Sequence, residues 1–306
     1  MLLSSSSRVA RPPATPRACA LVRAGLLVLL GLLAGPLLAQ LPASGLPLTA
    51  EEARDPKVVL VGSGDWQPYV DERREDGGVL GRLVTAAFRQ VGYQVRFTYY
   101  PWDRNALMLQ KGSLDAIMPY ACSQVRQAFS WCSAPLVRDE MVFFHRKDWP
   151  FEWTALTDLK DYSIGASLGY FYGEDFAQAE NSGQLQVTRS SREDANFRLL
   201  ELGRIQLYPQ ERSVGYAMLR RLYPADGGQA FTHHPLPLAT LPLHLLFRRD
   251  DPRGAELLAA FNQGLKKMTA NGDLARLQQA VRDGDPLSWM PSPVAPGREL
   301  RNQSVR

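Results

Sequence analysis

Residues 114–136 read LDAIMPYACSQVRQAFSWCSAPL, and this stretch carries the main signal for the fold. Leu114, Ala116, Ile117 and Met118 give an apolar run of the length of a buried parallel strand, which Pro119 is expected to stop. Ser123, Gln124 and Arg126 follow in a polar loop, and then an apolar-periodic segment with Phe129 and Trp131. A guanidinium is thereby set just past the carboxyl end of a strand, where open α/β sheets bind their ligands. The planar fork of arginine suits a carboxylate or phosphate held by two hydrogen bonds. A loop arginine is more often a solvated surface charge, so the role of Arg126 turns on the rest of the chain.

Upstream, residues 1–39 read as a secretory leader. Arg8, Arg11, Arg17 and Arg23 form a basic region without acids, Ala24 to Ala39 is almost wholly apolar, and small residues precede Gln40. The apolar run is short for a membrane span, although an uncleaved anchor is the alternative. Cys19 precedes this run, so it is not placed as a lipoprotein acceptor. The chain has 35 basic and 31 acidic residues; removing the four leader arginines leaves the two signs equal. No basic stripe for nucleic acid or a membrane surface then remains.

Residues 40–306 are long enough for one large domain or two α/β lobes. Cys122 and Cys132 flank Arg126, and in an oxidising compartment they point to a disulfide across its loop, with two buried thiols as the alternative. Four histidines, of which only His233 and His234 are adjacent, show no metal-ligand spacing. Gly62-Ser63-Gly64 lacks the third glycine of a dinucleotide fingerprint, since Gln67 stands there. Neither a Walker loop nor a Gly-x-Ser-x-Gly elbow occurs. No cofactor is expected.

Strands and helices alternate along the chain. Strands are expected at Lys57–Gly62, Val95–Tyr99, Met141–His145, Ser163–Ala166 and Leu243–Phe247. Helices are expected after Leu80, over Asn105–Lys111, Gly169–Ala179, Ser190–Leu202, Pro252–Met268 and Asp273–Val281. Residues 286–306 are rich in Pro, Ser and Arg and read as a disordered tail. Such alternation argues for an α/β fold with mostly parallel sheets flanked by helices.

Taken in order, several short motifs resemble one family. They are Gly64-Asp65-Trp66-Gln67-Pro68-Tyr69, Pro101-Trp102-Asp103, Gly112-Ser113-Leu114-Asp115-Ala116, and Arg126 nine residues before Pro135. Asp158-Leu159-Lys160, Gly165-Ala166-Ser167-Leu168-Gly169, Gly203-Arg204-Ile205 and Phe247-Arg248-Arg249-Asp250-Asp251-Pro252 continue the series. The chain resembles the periplasmic solute-binding proteins of family 3, which serve ABC importers of polar amino acids. The match spans about Val58 to Arg282.

The resemblance implies two lobes joined by two crossing strands, with a ligand trapped by hinge closure. Lobe I would be residues 57–136 with 243–282, and lobe II residues 137–242. By the same resemblance, Arg126 grips a ligand carboxylate and Trp66 lies against its side chain. Glu211 stands where the family usually has an aspartate for the α-ammonium, and Ser167, Leu168 and Gly169 complete the carboxylate site through backbone N–H groups. Pro119 and Ala121 replace usual hydroxyl residues, which leaves Tyr120 to fill one of those places; Gln206 replaces a common aspartate. Trp66 is read as a ligand platform and Tyr69 as core; of Tyr170 and Tyr172, Tyr170 is taken to face the cleft. The alternative for Glu211 is a surface ion pair with Arg212.

These features imply a periplasmic monomer that captures a small amino-acid-like or carboxylate ligand and delivers it to an ABC permease, without enzymatic activity. The alternatives are a sensory binding module and, on the same fold, an enzyme of the cyclohexadienyl-dehydratase type with Glu211 as the candidate acid–base group. One expectation is checked directly: N-terminal sequencing of the exported protein should find a start near Gln40. Recovery of residues 1–39 still attached in a membrane fraction would overturn it.

Overall fold

A computed structural model describes residues 55–282. The expected leader (1–39) and tail (286–306) lie outside the described residues.

The chain begins with strand β1 (Val58–Ser63), helix α1 (Gly78–Arg89) and β2 (Gln94–Tyr99), followed by α2 (Trp102–Gln110) and β3 (Ala116–Ala121). β1 pairs in parallel with both β2 and β3, the arrangement that helical crossovers dictate. β3 is buried along its whole length and runs through Pro119 where the sequence suggested a stop. The reason lies in its neighbour β10 (Ala239–Arg248): its antiparallel ladder with β3 shifts register between His244 and Leu246, opposite Pro119. The missing N–H of proline falls in that irregularity and leaves no broken ladder bond.

After β3 come a single turn, α3 (Gln124–Gln127), and the short strand β4 (Ser130–Cys132), so Phe129 and Trp131 do not belong to a helix. Cys122 and Cys132 are bonded, with Cα atoms 6.1 Å apart, and the bridge straddles α3. The long strand β5 (Val137–Arg146) leads into the second half of the molecule. That half holds β6 (Ser163–Ser167), α4 (Glu174–Asn181), β7 (Gln186–Ser190), α5 (Glu193–Glu201), β8 (Tyr208–Glu211), α6 (Arg212–Leu222) and β9 (Phe231–His233). Helix α4 starts five residues later than the sequence suggested, because Gly169 and Gly173 both adopt positive φ and interrupt the turn. The segment expected as one helix from Ser190 splits into the end of β7 and α5.

β10 returns to the first half, antiparallel to β5 over Ala239–Leu243 against Met141–Val137. The main sheet runs β2-β1-β3-β10-β5-β8, and β6 and β7 form a separate parallel pair. The ladders of β5 and β10 are antiparallel, whereas those of β1–β2, β1–β3 and β6–β7 are parallel. One hydrophobic core lies mainly under β1, β3, β10, α1 and α7 and extends to Phe144 and Phe197, and a second surrounds Phe143, Phe176 and Leu207.

Helix α7 (Pro252–Ala270) starts with Asp251 capping the Arg253 N–H and Pro252 in the first turn, and α8 (Asp273–Arg282) follows it. Arg253 then ties the helix to the sheet: its Nε meets Asp115 at 2.9 Å and its Nη2 meets the Val58 carbonyl at 2.7 Å. Where α7 crosses α1, a Cβ on Gly264 would stand 2.0 Å from the Ala87 carbonyl oxygen, so only glycine permits this approach.

The disulfide closes a loop of separation 10 around α3. By the chain-entropy relation, replacing both cysteines by serine should cost about 2–3 kcal/mol in denaturant unfolding, and reductant should have the same effect on the parent protein. Equal midpoints with and without reductant would show that the loop holds its shape unaided.

Candidate functional site

Arg126 sits in the single turn beyond β3. Ser123 caps that turn by accepting the Arg126 N–H at 3.4 Å, and the Ser130 hydroxyl donates to the Arg126 carbonyl at 2.7 Å. Nη1 donates to the Ala121 carbonyl at 3.0 Å and Nη2 to the Gly169 carbonyl at 2.8 Å. The guanidinium also lies 4.8 Å from the ring centre of Tyr120. One side chain thus joins the end of β3 to the turn after β6. Burial pulls the guanidinium below its ordinary pKa, and no ion pair to it occurs among the described residues. Its remaining N–H donors are available to an anion.

Gly169 makes this contact possible. A Cβ there would fall 2.8 Å from the Asp103 nitrogen and 2.9 Å from the Trp102 Cβ. The two halves therefore approach backbone to backbone at this point.

Arg126 lines a cleft that opens to solvent. Trp66, Trp102, Tyr120, Tyr170 and Phe171 supply ring surface, while Asp139, Met141 and Leu243 enter from the two crossing strands. Trp102 meets Tyr120 and Tyr170 edge-on, at 5.6 and 6.0 Å between centroids. Across the cleft mouth, Glu193 Oε1 accepts from the Trp102 indole at 2.6 Å and Oε2 from the Tyr170 hydroxyl at 2.8 Å. A second, more open space lies beyond Trp102, bordered by Asp65, Tyr99, Leu168 and Glu193 among others.

Of the residues put forward from the sequence, Trp66, Tyr120, Arg126, Gly169 and Tyr170 border the cleft, with Trp102 beside them. Tyr69 is buried against Trp66, and Tyr172 belongs to the second core. Ser167 and Leu168 are placed differently. The Ser167 N–H donates to the Tyr172 hydroxyl at 2.8 Å and the Leu168 N–H to the Ser190 carbonyl at 2.8 Å. With α4 beginning at Glu174, no helix starts at Gly169, so this turn offers the cleft a carbonyl where a helix N-terminus was expected.

Glu211 also departs from expectation. It is buried, and Arg212 pairs instead with Glu140 at 3.1 Å. Its longer arm folds back as the N-cap of α6, with Oε2 accepting the Val214 N–H at 2.7 Å and Oε1 the Tyr69 hydroxyl at 3.1 Å. It does not border the cleft. The acid that does is Asp139, only 2 % exposed, whose Oδ1 accepts the Leu241 N–H at 3.1 Å. The sequence signal for it was the two-residue period of β5, which puts Asp139 on the same face as Met141. Its neighbours Arg138 and Glu140, on the other face of the strand, are more exposed.

Among the described residues neither of these two carboxyls forms an ion pair, although the Arg212 charge acts on Glu211. Burial is the main cause that pushes Asp139 up to about 7, and the Glu211 charge adds to it. Burial likewise pushes Glu211 up to about 7, against the lowering effect of the Val214 N–H and the Tyr69 hydroxyl.

A match to the model of the bacterial extracellular solute-binding proteins, family 3, covers residues 58–281. The chain belongs to this family. Solved structures share the two-lobed fold at low identity. A histidine kinase sensor domain with similarity to periplasmic binding proteins matches with TM-score 0.63 and 20 % identity, over 73 % of this chain and 95 % of that one. An ancestral arginine-binding protein bound to arginine matches with TM-score 0.61 and 19 % identity, over 73 % and 97 %. An ancestral amino-acid-binding protein described as a precursor of cyclohexadienyl dehydratase matches with TM-score 0.57 and 21 % identity, over 75 % and 96 %. At these identities the likeness establishes the fold alone. A comparison with curated proteins returned no match.

The raised carboxyls predict a pH dependence for the ligand-free protein. Their folded pKa lies above the unfolded one, so between the ordinary carboxyl range and about 7 the folded state holds more protons than the unfolded chain. Stability contributed by these protons is present at the acid end and is lost as pH rises through that window. Unfolding midpoints measured at about pH 5 and about pH 7.5 should show this loss, and Asp139→Asn should reduce it. An unchanged pH slope in that variant would refute the assignment.

Proposed function

We propose that the protein captures a small amino-acid-like or carboxylate ligand in the periplasm and hands it, as a monomer, to an ABC permease in the inner membrane. The observation that carries this reading is Arg126, half-buried at a cleft walled by aromatic rings and fixed by carbonyls from both halves. A guanidinium so held recognises a planar anion, and the rings desolvate whatever lies beside it. Membership in an extracellular solute-binding family supports the location, as does the basic and apolar order of residues 1–39. Among the described residues no helix is long and apolar enough to cross a membrane. Lobe I would comprise 57–136 with 243–282 and lobe II 137–242, hinged at the β5–β10 pair.

A sensory role is the second reading, favoured by the likeness to a histidine kinase sensor domain. The adjoining genes separate the two: a permease and an ATPase favour transport, a receptor favours sensing. The reading as a binding protein is preferred to an enzymatic one because Glu211, the acid–base candidate of the sequence, caps α6 and does not border the cleft. Turnover of a cyclohexadienyl substrate would reverse that preference.

A thermal-shift screen of amino acids, opines, polyamines and small carboxylates should find the ligand, since binding to the folded state alone raises the melting point. Calorimetry on that ligand should then show Arg126→Ala weakened by roughly ten- to a hundredfold, the worth of a charge-assisted pair. Arg126→Lys should be nearly as weak, because lysine keeps the charge and loses the fork. Parent-like affinity in Arg126→Ala would mean that the anion is held elsewhere.

A further inference from the structure

The cleft has a second charged wall that none of the expected residues supplies. Asp139 borders the same space as Arg126 but belongs to a different element, the crossing strand β5. It is 2 % exposed, and the Leu241 N–H on the partner crossing strand bonds one of its oxygens, Oδ1. Around it stand groups of several elements. Arg126 of α3 faces the same cleft but directs Nη1 and Nη2 at carbonyls. Glu211 lies at the β8–α6 junction, with the Tyr69 hydroxyl bonded to it. Arg212 pairs with Glu140. Arg138 is exposed on its own strand, and His244 of β10 is turned to the Ser133 carbonyl. No cationic side chain forms an ion pair with Asp139 among the described residues.

A carboxylate buried without a cation is costly unless something charged arrives to meet it. We propose that Asp139 binds a cationic group of the ligand, an ammonium in the simplest case, opposite the anion held by Arg126, with Glu211 reinforcing the negative potential from behind Tyr69. This deepens the reading of the cleft as an amino-acid-like site and rests on it. The ligand class becomes a compact zwitterion, and dicarboxylates and neutral acids are disfavoured because they would leave Asp139 unpaired. The ring walls add to the attraction, since Trp66, Trp102 and Tyr170 present π faces or edges to the same space. In the empty cleft Asp139 and Glu211 are partly protonated near neutrality, for both are pushed up to about 7 by burial. Arrival of a cation favours the ionised form, so binding should release protons and tighten as pH rises from about 6 to about 8.

The test uses ligand pairs that differ only in ammonium against hydroxyl: L-alanine with L-lactate, L-leucine with its 2-hydroxy acid, and L-phenylalanine with L-phenyllactate. Calorimetry on the whole protein, in buffers of different ionisation enthalpy, reads affinity and proton release together. The amine member of the best-bound pair should bind at least about tenfold more tightly than its partner, the worth of one charged hydrogen bond, and should release protons near pH 7. In Asp139→Asn, which keeps an acceptor for the Leu241 N–H, the preference should shrink to within about threefold and the release should fall. Equal binding of the two members by the parent protein would overturn the inference and leave the amino-acid-like site intact. So would amine binding without proton release, a measurement that needs no variant. If no member of any pair bound, the reading of the site itself would fall, and this inference with it.

Discussion

Everything that defines the cleft depends on the antiparallel pairing of β5 with β10. Among the described residues these two strands run between the halves, and their ladder from Val137 to Met141 is continuous. Pairing satisfies the backbone groups of a segment that would otherwise cross exposed to the cleft. It also turns alternate side chains of both strands the same way, so that Asp139, Met141 and Leu243 form one wall of the cleft. The Leu241 N–H bonded to Asp139 ties the acid to the neighbouring crossing strand.

The second constraint is the Arg126 turn. The disulfide, the Ser123 cap and the Ser130 hydroxyl fix its backbone, and the carbonyls of Ala121 and Gly169 aim the guanidinium. Since Ala121 and Gly169 belong to opposite halves, the arginine both faces the cleft and clasps it shut. Glu193 plays a matching part on the other side of Trp102, accepting from one donor in each half. The halves are thus joined on both sides of Trp102 by side-chain hydrogen bonds that border the cleft.

Local signals in the chain were enough for the α/β alternation, the family and the position of Arg126. Apolar runs of strand length, glycine stops and the Asp251-Pro252 helix start are written in neighbouring residues, and the order of short motifs carried the rest. The Cys122–Cys132 pair and the aromatic Trp66 were legible for the same reason, being set by spacing to a strand end. The strand through Pro119 was not, because the register shift that accommodates it lies on β10, over a hundred residues away.

Long-range geometry decided the charges. Glu211 had the right spacing for the cleft, yet its extra methylene lets it reach back to Val214 and cap α6. Ser167 and Leu168 had the right motif, but their N–H groups are taken by Tyr172 and Ser190. The two-residue period put Asp139 on the face of Met141 but not in the cleft, because a strand acid is solvated or buried according to what the next strand and the opposite half place over it. The sequence by itself determined which elements form and which family they build. Only the tertiary structure determined which carboxylate lines the cleft, since burial and pairing are properties of residues far apart in the chain.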